Sequence, residues 1–415
     1  LPEMVLALEK PRKIMMLVPA GKPVDDVIAS LLPLLDKGDI VIDGGNSYFK
    51  DTLYRNNYLQ EKGIHFMGMG VSGGELGARL GPSMMPGGDK EAYQYLKPLL
   101  EAIAAKADGV PCVAHMGKGA AGHYVKMVHN GIEYAMMQLI SEVYDILKRG
   151  GGFTNSELHT LFKQWNKGDL QSFLINITAE IFKTGDAESN GKDDYLVDKI
   201  LDQAGAKGTG KWTSQEAMNL PTPIPTIDAA VTARNLSVYK EERVAASKLY
   251  KPKTGKLPMS KEELAEEAEK TLLFGFVISY AQGLAMLAKA SEEHAMDIPL
   301  PAVVQVWKAG CIIRSSLLQT FEKAFAKNAT LPNLLLDADI ATLLQEAEGS
   351  LRKVVGAAVE AKIPTAALSS ALAYFDGYST ERLPINLVQA QRDYFGAHTY
   401  QRIDMPGVFH TEWHQ

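Results

Sequence analysis

At 415 residues the chain is too long for one ordinary core, so two or three domains are expected. Apolar residues make up 46% and charged residues 22%, a globular composition that excludes a disordered or collagen-like chain. A net charge of −6 gives no reason to expect nucleic-acid binding, and two cysteines, Cys112 and Cys311, are too few for a disulfide framework, so a cytoplasmic chain is expected.

The opening Leu1-Pro2-Glu3 carries no signal-peptide pattern. Continuous apolar runs at 13–18, 39–43 and 64–68 predict strands buried on both faces, with helices between them at 23–35 and 49–61. Strand alternating with helix predicts a parallel sheet with right-handed crossovers, part of a Rossmann-like, doubly wound α/β domain over 1–120. Ligands bind such sheets beyond the carboxyl ends of the strands. Those ends are Val18-Pro19-Ala20-Gly21, Asp43-Gly44-Gly45-Asn46-Ser47 and the stretch 68–75. From about residue 121 the strand signal stops, and helices are expected at 122–148, 155–165, 170–183, 261–290, 302–326, 340–362 and 365–376. These form a large all-α domain over 121–399, followed by an irregular tail over 400–415. The most apolar stretch, 271–288, is interrupted by Ser279, Tyr280 and Gln282 and flanked by Lys270 and Lys289, which predicts a buried core helix and no membrane span.

The most informative block runs from His123 to Tyr134. Lys126, His129, Asn130 and Glu133 fall at i, i+3, i+4 and i+7, one face of a helix, with the amine and carboxyl about 10 Å apart along the axis. The competing reading is a solvated stripe on an amphipathic helix. Against it stand four unlike functional groups and a glycine, Gly131, that costs a helix about 1 kcal/mol. A lysine facing a cleft can lose its proton and act as a base, while a carboxyl group two turns away handles a second proton at another carbon. Such a pair suits a reaction with two separated proton transfers, such as oxidation followed by decarboxylation.

The stretch Ala204-Gly205-Ala206-Lys207-Gly208-Thr209-Gly210-Lys211-Trp212-Thr213 nearly matches a phosphate loop of nucleoside triphosphatases, but Trp212 stands where a magnesium-binding hydroxyl is needed. The residues before it, 195–203, read as a helix rather than the required strand. A glycine-rich turn with Lys207 as counter-ion to a phosphate fits better, with a plain linker as the alternative. Arg392 and His398, in the block 389–399, read equally well as surface residues.

Together these blocks resemble the decarboxylating 6-phosphogluconate dehydrogenase family. The matches are Asp43-Gly44-Gly45-Asn46-Ser47, Gly70-Val71-Ser72-Gly73-Gly74-Glu75, Met85-Pro86-Gly87-Gly88, 122–134, 207–213, Gly310-Cys311-Ile312-Ile313-Arg314 and 389–400, in the family's order. The ending His410-Thr411-Glu412-Trp413 resembles its short bacterial form. The resemblance implies NADP-dependent oxidation of the C3 hydroxyl of 6-phosphogluconate and loss of C1 as carbon dioxide, giving ribulose 5-phosphate without a metal. It implies Lys126 as the base and Glu133 as the acid. Sugar and carboxylate contacts fall on Asn46, Ser72, Gly73, Gly74, His129 and Asn130. Phosphate contacts fall on Tyr134, Lys207, Arg234, Arg392 and His398, the last two supplied by the second subunit of a homodimer. Cofactor contacts fall on Val18, Pro19, Ala20 and Asn46.

The sequence departs from the family at several points. The Gly-x-Gly-x-x-Gly turn that opens the family's dinucleotide domain, and the Asn-Arg-Thr segment that reads the 2′-phosphate, are not found ahead of 13–18, so an N-terminally incomplete domain is expected. Pro19 stands where Lys or Gln is usual, and Ala135-Met136 where Gly-Asp is usual. Two alternatives follow: another β-hydroxyacid dehydrogenase of the same superfamily, or a truncated chain that binds sugar phosphate without catalysis.

Overall fold

In the computed structural model, which describes residues 1–189, 191 and 194–413, the expected strands form as β1 (Lys13–Met16), β2 (Ile40–Asp43) and β3 (His65–Ser72). They pair side by side and in parallel, Met16 level with Asp43 and Asp43 level with Gly68. A fourth strand, β4 (Ser83–Gly88), adds to β3 antiparallel, with Met85 opposite Gly70. The sheet is therefore mixed at this side rather than wholly parallel. The pattern does not predict β4, because Pro86, Gly87 and Gly88 are poor strand residues. Their reason is tertiary: a Cβ on Gly87 would lie 2.1 Å from Gly122 N, and one on Gly88 2.7 Å from Phe66 O.

Helices α1 (Pro2–Ala7), α2 (Lys22–Leu31), α3 (Phe49–Gln60), α4 (Gly74–Leu80) and α5 (Lys90–Ile103) accompany the sheet, and a two-residue hairpin, β5 (Lys106–Ala107) with β6 (Val110–Pro111), follows them. Side chains alternate along a strand, so β2 serves two cores. Ile40 and Ile42 pack with Met67, Met69 and Met84 against Ala92, Tyr93, Leu96 and Leu100 of α5. Val41 packs on the other face with Val5, Val24, Ile28, Leu31, Leu59 and Phe66. Burial on both faces is what the unbroken apolar run 39–43 requires.

Past the sheet the chain is helical: α6 (Ala121–Asp145), α7 (Asn155–Trp165), α8 (Phe173–Lys183), α9 (Thr209–Asn219), α10 (Pro225–Val238), α11 (Lys240–Tyr250), α12 (Lys261–Glu293), α13 (Leu300–Trp307), α14 (Leu317–Lys327), α15 (Ala338–Glu360), α16 (Ala366–Tyr378) and α17 (Ile385–Gly396). Among the described residues only single-residue β pairings remain in this part. The α12 helix is long and apolar enough to cross a membrane, but 89% of its most apolar window is buried inside the protein, as a core helix should be. Two compact units result, Leu1–Ala371 and Leu372–Gln415. In the second, the segment after α17 doubles back through reciprocal Tyr400–Phe409 backbone bonds of 2.9 and 2.8 Å.

Two expected helices are corrected. The stretch 195–203 forms a helical turn only at Leu196–Asp198, because Leu196 N–H bonds to Thr184 O and the Asp198 carboxylate is held by Lys148 and Asn155. The stretch 302–326 breaks between Trp307 and Leu317, where Gly310 adopts φ 71° and its carbonyl accepts from Ser83 N–H of β4 at 3.2 Å.

Candidate active site

The site is built on the contact between β3, β4 and the first turns of α6. A Cβ on Gly122 would lie 2.1 Å from Gly68 O and 2.3 Å from Met85 O. One on Gly87 would lie 2.1 Å from Gly122 N, and one on Gly70 would lie 2.3 Å from the Lys126 Cβ. Real Cβ atoms do not approach this closely, so glycine at these positions lets the helix backbone lie directly on the sheet. That explains Gly87 of β4 and fixes where Lys126 begins.

On the other side of α6, the Thr213 hydroxyl of α9 donates to Met127 O at 2.9 Å, and Gly131 leaves room for the Thr213 methyl. The helix is therefore a core element, buried nearly all round over its first four turns. Its polar stripe faces an interior cluster rather than solvent.

In that cluster the buried Lys126 Nζ donates to Asn130 Oδ1 at 2.8 Å and lies 3.5 Å from His129 Nδ1. His129 Nδ1 is 3.1 Å from Asn130 Oδ1, and its Nε2 is 3.3 Å from Ser72 Oγ at the end of β3. Asn130 Oδ1 only accepts, which puts the imidazole proton on Nδ1 and leaves Nε2 to accept from Ser72. Glu133 Oε2 stands 3.8 Å from His129 Nδ1, one turn further along the helix.

Burial drives the electrostatics. Desolvation pulls the Lys126 ammonium below its ordinary value, opposed by the Glu133 carboxylate and the Cys311 thiol. Desolvation also pushes Glu133 up, opposed by Lys126 and Arg234. His129 falls well below its ordinary value, first through burial and then through the Lys126 charge, so it stays neutral. The amine and the carboxyl group are thus moved toward one another, each favoured in its neutral form.

The remaining predicted residues fall into four groups, the last being Arg392 and His398 on the second unit. Ser72, Gly73 and Gly74 turn β3 into α4; Gly73 has φ 134° and presses on the Gly310 carbonyl, which a Cβ would approach to 2.5 Å. Asn46 is exposed on the loop after β2, shaped by the buried Asp43 carboxylate, which accepts from Gly45 N–H at 3.0 Å and the Ser47 hydroxyl at 2.5 Å. Beside it Val18 is half-buried and Pro19 and Ala20 are exposed after β1; a Cβ on Gly45 would stand 3.0 Å from Val18 O. These two loops form one shelf at the carboxyl ends of β1 and β2.

The third group is a cationic corner. The Arg234 guanidinium lies over the Tyr134 ring, 3.5 Å from its centroid, and donates to Gly205 O at 3.4 Å. Gly205 belongs to the loop carrying the exposed Lys207, and a cavity of about 330 Å³ opens between Tyr134, Ala204 and Arg234. Gly208 in this loop adopts φ 99° and starts α9, with no strand before it, which removes the nucleotide-triphosphate reading. Arg392 and His398 are exposed on the second unit. Among the described residues no group of three or more His, Cys, Asp or Glu is arranged to hold a metal.

Residues outside the expected set complete the first cluster. The Trp307 ring meets His129 edge-on, with centroids 5.7 Å apart, and its Nε1–H points at Met85 Sδ. Cys311 is buried beside Lys126, and burial raises its thiol to about 12. Both lie in or next to the Gly310–Arg314 block, so the available signal was the block itself rather than any periodicity.

Comparison with known proteins decides the family. The family model described as the C-terminal domain of 6-phosphogluconate dehydrogenase matches residues 122–413, and that of its NAD-binding domain matches residues 2–139. The chain belongs to the 6-phosphogluconate dehydrogenase family. It is 55% identical to the decarboxylating 6-phosphogluconate dehydrogenase of Lactococcus lactis subsp. lactis, over 100% of this chain and 88% of that protein. It is 54% identical to the NADP(+)-dependent decarboxylating enzyme of Bacillus subtilis, over 99% of this chain and 87% of that one. Among solved structures it is similar to Plasmodium falciparum 6-phosphogluconate dehydrogenase, studied in its apo form and with NADP+ or 6-phosphogluconate. That likeness has a TM-score of 0.96 and 44% identity, over 100% of this chain and 88% of the other.

Proposed function

We propose that the chain catalyses the NADP-dependent oxidative decarboxylation of 6-phospho-D-gluconate to D-ribulose 5-phosphate, carbon dioxide and NADPH. The observation that carries this reading is the buried Lys126–Glu133 pair on one face of α6, each group biased toward its neutral form in a member of this family.

The shelf formed by Val18, Pro19, Ala20 and Asn46 fits a dinucleotide, since it lies at the carboxyl ends of adjacent parallel strands and leaves the neighbouring Leu17 72% exposed to cover. NADP+, when bound, supplies the acceptor for the C3 hydride.

Neutral Lys126 takes the C3 hydroxyl proton as that carbon is oxidised. The resulting ammonium returns the proton to the keto oxygen while the C1–C2 bond breaks and its electrons form the enediol. Glu133 then protonates C2, and Lys126 takes back the enediol proton. Transfer from ammonium to carboxylate restores both groups. Neutral His129, held between Ser72 and Asn130, orients both groups without adding a second charge beside the ammonium.

Tyr134, Lys207 and Arg234 hold the substrate phosphate, and Arg392 and His398 reach it from a second copy, so the working unit is a homodimer. Exposed apolar residues on the second unit, such as Ile385, Leu387 and Phe395, suit burial against another copy. The enzyme belongs in the cytoplasm, where sugar phosphates and NADP are found. Turnover of 6-phosphogluconate against 3-hydroxyisobutyrate, both with NADP+, tests the reading. A large preference for the phosphorylated acid is expected, and equal rates would overturn it.

A further inference from the structure

We infer that Asp393 is a positioning residue that locks the turn presenting His398, and that it serves phosphate binding without touching the substrate. The inference rests on the reading of Arg392 and His398 as phosphate ligands.

Asp393 is on α17, fully buried although most of the surrounding helix and tail is exposed. Its Oδ1 accepts from Thr399 N–H at 2.9 Å and faces His410 Nδ1 at 2.9 Å. Its Oδ2 accepts from Thr411 N–H at 3.0 Å and from Trp413 Nε1–H at 2.9 Å. One carboxylate thus gathers groups from both ends of the segment that doubles back after α17. No other side chain in this unit ties together so much of it among the bonds described.

The turn it holds is strained. His398 sits between Ala397 at φ 48° and Thr399 at φ 62°, and the left-handed region is unfavourable for a β-branched threonine. Such a backbone persists only where the surroundings over-determine it. Here Asp393 takes the Thr399 N–H, and the Gln389 side-chain amide donates to Thr399 O at 2.6 Å.

The imidazole direction is fixed as well. The His398 ring folds over Gly396, where a Cβ would lie 2.8 Å from the ring, and meets Phe395 edge-on. Asp393 sets the backbone and Gly396 makes room for the ring. Arg392, the residue before Asp393, leaves the same end of the helix toward solvent.

An Asn at 393 can accept at one oxygen only and turns an NH2 group toward two donors. In the full-length protein, Asp393→Asn is expected to raise KM for 6-phosphogluconate at least tenfold. Its kcat and its KM for NADP+ should stay within about threefold of the parent, and its oligomeric state should be unchanged. Gly396→Ala, which keeps the carboxylate and displaces only the ring, should raise the same KM. Arg392→Ala is measured alongside. An unchanged KM in Asp393→Asn beside a raised KM in Arg392→Ala overturns the positioning role. An unchanged KM in Arg392→Ala overturns the phosphate reading beneath it. Equal losses in kcat and in both KM values for Asp393→Asn and Gly396→Ala mean general disruption of the tail and also overturn it.

Discussion

Gly70 on β3 and Lys126 on α6 are pressed together so closely that a methyl group on the glycine would stand 2.3 Å from the lysine Cβ. The sheet thereby sets where the amine sits. Overpacking a rigid contact costs about 1–3 kcal/mol, and relief here comes only by moving the backbone of α6 or β3, since turning the lysine side chain leaves its Cβ in place. Gly70→Ala should lower kcat for 6-phosphogluconate by roughly 10- to 100-fold while NADP+ binding changes little. Steady-state kinetics beside fluorescence titration with NADPH checks it; wild-type turnover would show that Lys126 tolerates the shift.

The amine itself can be removed without leaving a hole. Methionine fills a similar volume and carries no charge, so Lys126→Met relieves a desolvation cost. Thermal stability should stay level or rise. Turnover should fall about 10²- to 10⁴-fold, the usual share of a general base. Retention of a tenth of wild-type activity would remove Lys126 from the proton-transfer role.

Glu133 gives a test in the pH dimension. The productive form needs Lys126 neutral and Glu133 protonated. Activity therefore falls in acid as the lysine takes a proton and falls in alkali as the glutamate loses one. The downward shift of Lys126 and the upward shift of Glu133 both enlarge the fraction in that form. Glutamine cannot ionise, so the residual activity of Glu133→Gln should rise through the lysine titration and then level off. A surviving alkaline limb in that variant would assign it to another group.

Much of this site is legible because it is local. Lys126, His129, Asn130 and Glu133 share a face through helix spacing alone, and the strand-end loops at Val18 and Asn46 follow from the apolar runs before them. What stays hidden is set by partners distant in sequence. Gly87 reads as a strand breaker until Gly122 is found against it, and β4 is missed for that reason. The helix expected at 195–203 is undone by Lys148 and Asn155, which claim Asp198 from elements far upstream. Asp393 looks like an ordinary helix-surface acid, since its donors at 410, 411 and 413 lie beyond a turn whose course no periodicity encodes.

The cationic corner offers a sharper test than charge removal alone. Arg234 lies over the Tyr134 ring, 3.5 Å from its centroid, and is bonded to the Lys207 loop through Gly205 O, so its fork is fixed before substrate arrives. Lysine keeps the charge but loses both the stacking and the planar fork. Arg234→Lys should therefore raise KM for 6-phosphogluconate nearly as much as Arg392→Ala, for which a charged hydrogen bond of about 1.5–3 kcal/mol corresponds to roughly 10- to 150-fold. Slow turnover of unphosphorylated gluconate, measured in the same variants, should change little, because the missing group is the one these residues hold. If Arg234→Lys binds 6-phosphogluconate normally while Arg234→Ala does not, charge alone suffices and the stacked geometry has no part in recognition.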